Sequence, residues 1–448
     1  MEKVLRFLEK LIPKKIYEWG QPIYHFGLAF LGALIYGFPS RKLYVIGVTG
    51  TKGKTTTCNL IYHFLDSYGF KTGLLTTVNF KINKQEWPNT TKQTMLGRFG
   101  LQKWLKRMAK EGCEYAVVET SSEGILQFRH RFIDYNMAVF TNITPEHIER
   151  HKGFENYRAA KVKLFDKVAK RKDGVGIYNL DDENVSIFLE PRITKRIGYS
   201  IKNNFQFSIS NFQSIFNVSN VQLFSDRSEF NVFETYFVSS LLGEFNVYNA
   251  AAAIAVAAEL KIPITDIKNY LLDFKGVPGR MEMIKADGGF TVVVDYAHEP
   301  ASLEAVYETA RGQMLDVDGK LIGVLGAQGG GRDKWKRKIM GEIAARYCDF
   351  VILTNEDPYD EDPYRILADI KSGMSDVLNL ATKQEFSISN AFEVIDRKEA
   401  IKRALLLAHS GDTVVLTGKG GEVWMCVENG KKIPWNEKEV VEELLKII

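Results

Sequence analysis

A glycine- and lysine-rich run at residues 47–56, GVTGTKGKTT, carries the clearest chemical signal in the sequence. It follows an apolar stretch and opens a helical pattern, the context in which backbone N–H groups and a helix N-terminus bind phosphate. Lys54 is placed to reach the outer phosphates of a nucleotide, and the Thr55 hydroxyl to bind Mg²⁺. Val48 stands where the strict phosphate-loop pattern has glycine, so the loop is a variant. The residues predicted to bind ATP here are Gly50, Thr51, Lys52, Gly53, Lys54, Thr55 and Thr56.

A carboxylate follows a second apolar run. Glu119 ends the stretch YAVVE at residues 115–119. A side chain at the carboxyl end of a buried strand faces the ligand crevice of a parallel sheet. Because Mg²⁺ prefers oxygen ligands, we predict that Glu119 binds metal.

The elements that must position these groups alternate between short apolar runs and amphipathic helical stretches. This alternation is typical of an α/β fold in which helices cover parallel sheets. Residues 205–238, rich in Ser, Asn, Phe and Val, instead predict β-hairpins. The predicted strands are Leu43–Val48, Tyr115–Glu119, Met137–Thr141, Thr291–Asp295, Leu321–Leu325, Phe350–Thr354 and Thr413–Thr417, and the predicted helices include Thr55–Tyr68 and Asn246–Leu260.

A chain of 448 residues is long enough for two or three domains. A break at Gly276, Pro278 and Gly279 predicts a boundary, after which the α/β alternation restarts. We therefore predict a short apolar helical segment over 1–40, a central ATP-binding domain over 41–276 and a C-terminal Rossmann-like domain over 277–448.

The apolar run Ile23–Phe38 contains sixteen residues. A membrane-spanning helix usually needs about 20 apolar residues, and a signal-peptide cleavage pattern is missing. The run predicts a helix packed on the core. The alternative is an interfacial helix, with residues 20–38 in peripheral contact with a membrane.

Composition and charge exclude some classes of protein. The net charge of +4 is small for this length and argues against a dedicated nucleic-acid binder. The four cysteines are far apart and form no CxxC pair, which excludes the usual zinc and disulfide patterns. Scattered thiols fit a reducing compartment, so we expect a cytoplasmic protein with small-molecule substrates.

The loop GTKGKT at residues 50–55 resembles the variant loop of the Mur ligases and folylpolyglutamate synthases, and the resemblance covers nearly the whole chain after residue 40. The sequence is most similar to the MurE type, which adds the third amino acid of the peptidoglycan stem to a UDP-linked muramyl dipeptide. The resemblance implies catalysis in a cleft between the two larger domains. MurE-type enzymes begin with a UDP-binding domain, whereas about 40 residues precede the phosphate strand here, so we expect no complete domain of that kind.

The same resemblance implies a metal site with two Mg²⁺ ions. His147, in the run TNITPEH, matches a metal-binding histidine, and Lys161 matches a lysine that CO₂ converts to a carbamate. The implied metal ligands are Thr55, Glu119, His147 and carbamylated Lys161, and the implied catalytic residues are Lys54, His147, Lys161 and Arg280.

Further nucleotide contacts are implied in both large domains. Asn246 and Asn249 match asparagines that contact adenine, although helix capping would also explain them. Arg280 matches an arginine that contacts phosphate, and Asp295, in DYAH, matches an aspartate that binds ribose. His298 of the same motif either takes part or braces the loop.

Residues implied to bind the acceptor and the incoming amino acid are more scattered. Arg332 matches a residue that binds the amino acid's carboxylate, and Glu422 matches one near its side chain, although either residue could be a surface charge. Diaminopimelate-specific enzymes carry DNPR where this chain has EDPY, and Tyr359 cannot make the arginine's ion pair. We therefore do not expect diaminopimelate, and lysine or another amine stays open. The predicted substrate-binding residues are Asn89, Thr90, Thr91, Ser122, Gln127, Arg129, Arg332, Asp357 and Glu422.

The resemblance implies a monomer that adds an amino acid to a carboxylate acceptor as an amide, with ATP and through an acyl phosphate. The implied acceptor is UDP-N-acetylmuramoyl dipeptide or a related cell-wall precursor. Two alternatives stay open: a folate or other polyglutamate ligase, and a Mur-like subunit that binds nucleotide without catalysis. The presence of Lys54, Glu119, His147 and Lys161 argues against the second alternative.

Overall fold

The computed structural model of the protein describes residues 14–146, 148–203, 209–314, 318–380 and 390–448. The helices in these ranges are α1 Lys14–Tyr36, α2 Lys54–Tyr68, α3 Arg98–Lys110, α4 Ser122–Leu126, α5 Ile148–His151, α6 Phe154–Val168, α7 Val185–Leu189, α8 Glu244–Glu259, α9 Ile264–Asp273, α10 Pro300–Gly312, α11 Trp335–Tyr347, α12 Pro363–Leu380, α13 Arg397–Leu407 and α14 Glu437–Leu445.

The strands are β1 Tyr44–Thr49, β2 Thr72–Leu75, β3 Asn79–Ile82, β4 Gln85–Pro88, β5 Tyr115–Glu119, β6 Tyr135–Phe140, β7 Val175–Asn179, β8 Lys195–Ser200, β9 Ser214–Leu223, β10 Ser228–Val232, β11 Thr235–Ser239, β12 Glu282–Lys285, β13 Thr291–Val294, β14 Leu321–Leu325, β15 Phe350–Leu353, β16 Ala391–Glu393, β17 Thr413–Leu416, β18 Trp424–Cys426 and β19 Lys432–Pro434.

The larger sheet has the order β11-β10-β9-β8-β7-β6-β1-β5-β2-β3-β4 in the described part of the chain. Strands from β9 to β2 run parallel, and antiparallel hairpins extend both edges. The apolar strands β1 and β5 are buried because α2 and the alanine-rich α8 cover one face of the sheet, while α3 and α6 cover the other. The predicted α/β class and the hairpins within 205–238 are confirmed.

The smaller sheet has the order β12-β13-β17-β14-β15-β16. Antiparallel β12 adds to one edge, and the remaining strands run parallel. Its two faces are covered by separate apolar clusters, one with α10, α11 and α12 and the other with α13 and α14. The carboxyl ends of β13, β14, β15 and β17 therefore share one edge, the usual place for a ligand in an open α/β sheet.

The N-terminal helix α1 is longer than its apolar run predicted, because it begins before Pro22 and includes it. It packs on α3 through a strip of small residues, Ala29, Gly32 and Ala33. The prediction of a helix packed on the core holds for this strip, whereas Ile23, Tyr24, Phe26, Phe30, Leu31, Leu34 and Ile35 are exposed. None of the helices in the described ranges combines the length and hydropathy needed to cross a bilayer.

Candidate active site

Three neighbouring strands of the larger sheet, β5, β1 and β6, end side by side. Glu119 is the last residue of β5, the glycine-rich loop follows β1, and Thr141 and Asn142 follow β6. The backbone N–H of Thr51 donates to the Asn142 carbonyl at 2.8 Å, and that of Lys52 donates to the Asn142 side chain at 2.9 Å. The strand order thus places the loop against a carboxylate on one side and polar groups on the other.

Two glycines allow the loop to lie this close to its neighbours. Gly50 has φ +152°, and a Cβ there would lie 1.9 Å from the Thr141 hydroxyl oxygen. Gly53 has φ +77°, and a Cβ would lie 2.1 Å from Asn249 Oδ1. A larger residue at either position would displace its neighbour, so the loop depends on glycine.

The first turn of α2 directs its polar groups toward Glu119. The Thr55 hydroxyl donates to Glu119 Oε2 at 3.0 Å, and the backbone N–H of Thr77 donates to the same oxygen at 2.8 Å. Lys54 Nζ donates to the Thr51 carbonyl at 2.7 Å, which folds the lysine back over the loop. A hydroxyl and a carboxylate in contact are an oxygen donor set of the kind that suits Mg²⁺.

Lys161, on α6, lies beneath the glycine-rich loop. Its side chain is buried, Nζ donates to the Gly50 carbonyl at 2.6 Å, and the ammonium lies 4.5 Å from the centre of the Tyr157 ring. Burial, together with the nearby charge of Lys54, holds the pKa of Lys161 well below its usual value. This environment favours the neutral amine, which is the nucleophilic form.

The predicted metal ligand His147 lies outside the described residues. Its neighbour Glu146 meets two residues of the smaller domain, His298 and Glu299, and their ligand atoms lie within 4.8 Å of one another. Lys336 Nζ lies 2.6 Å from Glu299 Oε1. Burial nevertheless raises the pKa of Glu299 to about 7, with Lys336 opposing the shift and Glu146 adding to it. Glu146 and Glu299 each adjoin a histidine of a recognised run, His147 and His298, but no pattern in the sequence marks either glutamate as a site residue.

Arg280 spans the space between the two sheets. Its guanidinium lies 4.3 Å from the centre of the Tyr296 ring, and Nη2 lies 3.5 Å from the Thr55 hydroxyl oxygen. Asp295 is buried beside it and accepts the backbone N–H groups of Met281 and Ala297, each at 2.7 Å. Burial raises the pKa of Asp295, which Arg280 opposes.

A cavity of about 580 Å³ lies between the sheets and unites most of the predicted residues. Those that line it are Thr51, Lys52, Gly53, Lys54, Thr55, Thr56, Glu119, Ser122, Gln127, Arg129, Lys161, Asn246, Asn249, Arg280, Asp295 and Arg332. The predicted residues that do not line it are Gly50, Asn89, Thr90, Thr91, Asp357 and Glu422. One wall therefore carries the phosphate-loop residues and the other carries Arg280 and Arg332.

Two protein-family models match the chain. The Mur ligase middle domain matches residues 48–257, and the Mur ligase, glutamate ligase domain matches residues 279–420. The chain belongs to the Mur ligase family. It is an ATP-dependent ligase that forms carbon–nitrogen bonds.

Relatives of this Mur ligase carry names from cell-wall synthesis. A UDP-N-acetylmuramoyl-L-alanyl-D-glutamate–2,6-diaminopimelate ligase of Syntrophomonas wolfei is 36% identical over 94% of this chain and 81% of its own length. A UDP-N-acetylmuramyl-tripeptide synthetase of Roseiflexus is also 36% identical, over 92% of this chain and 80% of its own length. The predicted similarity to the MurE type is thereby confirmed.

Solved structures support the same fold. The solved structure of a UDP-N-acetylmuramoyl-L-alanyl-D-glutamate–2,6-diaminopimelate ligase superposes on this chain with a TM-score of 0.59 and 31% sequence identity. The match covers 90% of this chain and 78% of the other. The folylpolyglutamate synthase of Mycobacterium tuberculosis superposes with a TM-score of 0.68 and 17% sequence identity. The match covers 88% of this chain and 92% of the other, and at this identity it shows a shared fold alone.

The Asn-Thr-Thr motif of this Mur ligase shapes a loop beside the cavity. The Asn89 amide donates to the carbonyls of Thr76 and Gln93 at 2.9 Å, and its oxygen accepts the Thr91 N–H at 3.0 Å. The Thr90 carbonyl accepts the Trp424 indole N–H at 3.2 Å. The Asn89 contacts shape the loop, and the Trp424 contact attaches it to the smaller domain.

The next residue of this loop, Lys92, was missed by the sequence analysis. Its ammonium lies 2.6 Å from Asp357 Oδ2 and 2.9 Å from Glu422 Oε2. Burial works to lower the pKa of Lys92, but Glu422 and Asp357 outweigh it and raise that pKa. The Lys92 side chain is therefore a cation held between two carboxylates of the smaller domain. No pattern in the sequence around Lys92 indicates this pairing.

Proposed function

We propose that this Mur ligase joins an amino acid to a carboxylate of a muramyl-peptide acceptor, with UDP-N-acetylmuramoyl dipeptide as the first candidate. The observation that carries the proposal is the contact of Arg280 with Thr55 across the cavity. It brings an arginine from one sheet to the phosphate loop of the other, the arrangement that phosphoryl transfer between two substrates requires. The names of the relatives support the choice of acceptor.

The reaction has two steps. In the first, an acceptor carboxylate oxygen attacks the terminal phosphorus of ATP, so that an acyl phosphate forms and ADP leaves. In the second, the amine of the amino acid attacks the acyl carbon, the carbon–oxygen bond breaks, and phosphate leaves as the amide forms. Lys54 and Arg280 neutralise the negative charge that develops on the transferred group. Closure around the cavity excludes water from the acyl phosphate.

Thr55 and Glu119 would hold one Mg²⁺, and His147 with carbamylated Lys161 a second. When bound, these ions screen the phosphate charges and polarise the transferred group. The buried amine of Lys161 suits carbamylation, because a neutral amine can attack CO₂ and the product is an oxygen donor. Glu119 already faces the Thr55 hydroxyl at 3.0 Å, so this ligand pair needs little rearrangement.

Binding of the remaining groups follows from the cavity walls. Asn246, Asn249 and Asp295 would contact the nucleoside. Ser122, Gln127 and Arg129 would hold the acceptor, with Asn89, Thr90 and Thr91 shaping the neighbouring loop. Arg332, which lines the cavity, would bind the amino acid's carboxylate bidentately.

The test is a screen of amino acids against UDP-N-acetylmuramoyl dipeptide, scored by product mass and ADP release. Folate is the control acceptor, because the folylpolyglutamate synthase shares the fold. We expect ADP release only when both the muramyl acceptor and an amino acid are present. Turnover with folate instead would select the polyglutamate alternative. Nucleotide binding without product from any pair would select the non-catalytic subunit.

We also propose that α1 rests on an anionic lipid surface, which would bring the ligase to a lipid-linked acceptor in the cytoplasm. Seven large apolar side chains of α1 are exposed, and the helix that supports it, α3, carries five basic residues and no acidic one. Arg41 lies 4.8 Å from the centre of the Phe38 ring at the end of this face. Apolar and basic groups on one surface are the combination that binds anionic membranes.

Flotation with phosphatidylglycerol vesicles tests this contact, with phosphatidylcholine vesicles as comparison. The double variant Ile23→Ser with Ile35→Ser should lose flotation, whereas Ile447→Ser, equally exposed elsewhere, should retain it. Light scattering in parallel tests the proposed monomer. A dimer that dissociates in the double variant would make this face a contact between copies of the chain, and failure to float with either lipid would refute the membrane contact.

A further inference from the structure

The Lys92 cluster carries an inference about the incoming amino acid that rests on the proposed function. Asp357 and Glu422 lie at the carboxyl edge of the smaller sheet, beside the cavity that contains Arg332. The Gly329 N–H donates to the Asp357 carbonyl at 2.9 Å. This hydrogen bond joins the loop that carries Arg332 to the loop that carries Asp357. An amino acid held by Arg332 would meet this cluster with its side chain.

The two carboxylates already have partners. Asp357 Oδ1 accepts Lys419 Nζ at 3.0 Å and the Cys426 N–H at 2.7 Å, and its other oxygen accepts Lys92. Glu422 Oε2 accepts Lys419 at 2.7 Å and lies 2.9 Å from the ammonium of Lys92, while Oε1 accepts the Tyr296 hydroxyl at 3.3 Å. Two lysines thus balance two carboxylates.

Lys419 and Lys92 differ in burial and in the domain from which they come. Lys419 is fully buried and uses its three N–H donors on Asp357, Glu422 and the Trp424 carbonyl, so it is part of the wall. Lys92 comes from the opposite domain, lines the cavity, and has a side chain that is 11% exposed. Its ammonium stands where a cationic side chain of a substrate would meet the carboxylates.

The backbone of Lys92 supports a specific role for this side chain. Its φ of +55° lies in the left-handed region, which is unfavourable for a residue other than glycine. Such a conformation persists where the surroundings impose it, and it is common at ligand sites. Here it places the ammonium between the two carboxylates.

We propose that Lys92 is a specificity-determining residue that occupies the cation subsite of the amino-acid pocket, so that the ligase selects an α-amino acid whose side chain carries no positive charge. A substrate with a side-chain ammonium would have to displace a buried, doubly paired lysine. If Lys92 stayed in place, the substrate ammonium would be a third cation beside two carboxylates that Lys92 and Lys419 already balance. Both effects disfavour lysine and ornithine relative to alanine, serine or glutamate.

The experiment compares kcat/KM for alanine, serine, glutamate, lysine and ornithine in the full chain and in four variants. Lys92→Met keeps the aliphatic stem without the charge. Lys92→Gly removes the charge and suits the backbone conformation, and Lys92→Arg keeps the charge. Lys398→Met is the matched control, because Lys398 forms a solvent-exposed pair with Glu443 at 2.8 Å, outside the cavity.

We expect the wild type, Lys92→Arg and Lys398→Met to favour the amino acids without a side-chain cation. Lys92→Met and Lys92→Gly should each raise the ratio of kcat/KM for lysine or ornithine over alanine by at least about tenfold. A wild type that already prefers lysine or ornithine would overturn the proposal. So would an equal loss of kcat/KM for every amino acid in both charge-removing variants, since Lys92 would then serve only to hold the domains together.

Calorimetric binding of the same amino acids, with a non-hydrolysable ATP analogue and Mg²⁺ present, is measured in parallel. Absence of ligation in the wild type refutes the proposed function. The order of affinities then still tests the selectivity, because it needs no turnover. Equal affinity for alanine and ornithine in the wild type and in Lys92→Met would overturn the role of Lys92.

Discussion

The ammonium nitrogen of Lys161 lies 2.6 Å from the carbonyl oxygen of Gly50, a residue 111 positions earlier in the chain. The contact places a buried amine directly beneath the loop that is proposed to hold the phosphates of ATP. Because the amine is desolvated, its charged form is disfavoured, and the site is suited to a lysine that reacts rather than one that pairs with a carboxylate.

Lys161 is expected to carry a carbamate in the working enzyme. Protein incubated with ¹³C-bicarbonate should show a carbamate carbonyl signal by NMR that is missing in Lys161→Ala. Turnover of that variant should fall by roughly 10²–10³-fold, and short carboxylic acids should restore part of it. Lys163→Ala, an exposed position on the same helix, should retain both signal and activity. An unchanged ¹³C signal in Lys161→Ala would contradict this assignment.

Gly53→Ala is expected to weaken nucleotide binding and to destabilise the fold. Gly112→Ala is the matched control, because Gly112 has φ +76° against +77° for Gly53, but a Cβ there meets only Lys71 at 3.8 Å. Because the two positions have nearly the same φ, the difference between the variants chiefly reports the clash with Asn249. We expect Gly53→Ala to be about 1–3 kcal/mol less stable than Gly112→Ala in urea unfolding. Equal stabilities would mean that Asn249 moves aside freely.

Glu299 should make stability depend on pH. Burial raises its folded-state pKa from 4.5 to about 7. A raised pKa contributes stability that is fully present below the unfolded pKa and is lost as pH rises through the folded pKa. The free energy of unfolding of the wild type, relative to Glu299→Gln, should therefore fall between pH 4.5 and about 7. The fall should reach at most about 3.5 kcal/mol, at about 1.4 kcal/mol per pH unit. Parallel pH profiles would show that Lys336 keeps Glu299 ionised.

The buried pair of Arg397 and Glu437 should contribute strongly to stability. Both side chains are 0% exposed, and Arg397 also donates to the Thr417 carbonyl at 2.7 Å. Arg397→Met leaves an uncompensated carboxylate and should cost about 3–5 kcal/mol in urea unfolding. Adding Glu437→Gln should recover part of that loss. Lys398→Met, in the neighbouring exposed pair, should change stability by less than about 1 kcal/mol. If Arg397→Met and Lys398→Met lost similar amounts of unfolding free energy, burial of the first pair would contribute little.

The sequence alone determined the local parts of the site. The strand, loop and helix around residue 50 are consecutive, so their hydrogen bonds and glycine requirements are written in adjacent residues. The prediction of β5 over Tyr115–Glu119 agrees residue for residue with the structure, and it placed Glu119 at the sheet edge. The apolar run Ile23–Phe38 also predicted a helix, and in the structure α1 extends over Lys14–Tyr36.

Only the tertiary structure decided which distant groups meet. Lys92 and Asp357 are separated by 265 positions, and their pairing depends on how two sheets face each other. The same holds for Arg280 and Thr55, and for the face of α1 that packs on α3. Sequence patterns record the periods of helices and strands, which repeat over a few residues. Charge pairing across a cleft depends instead on the relative position of whole domains, which is set by many packed contacts at once.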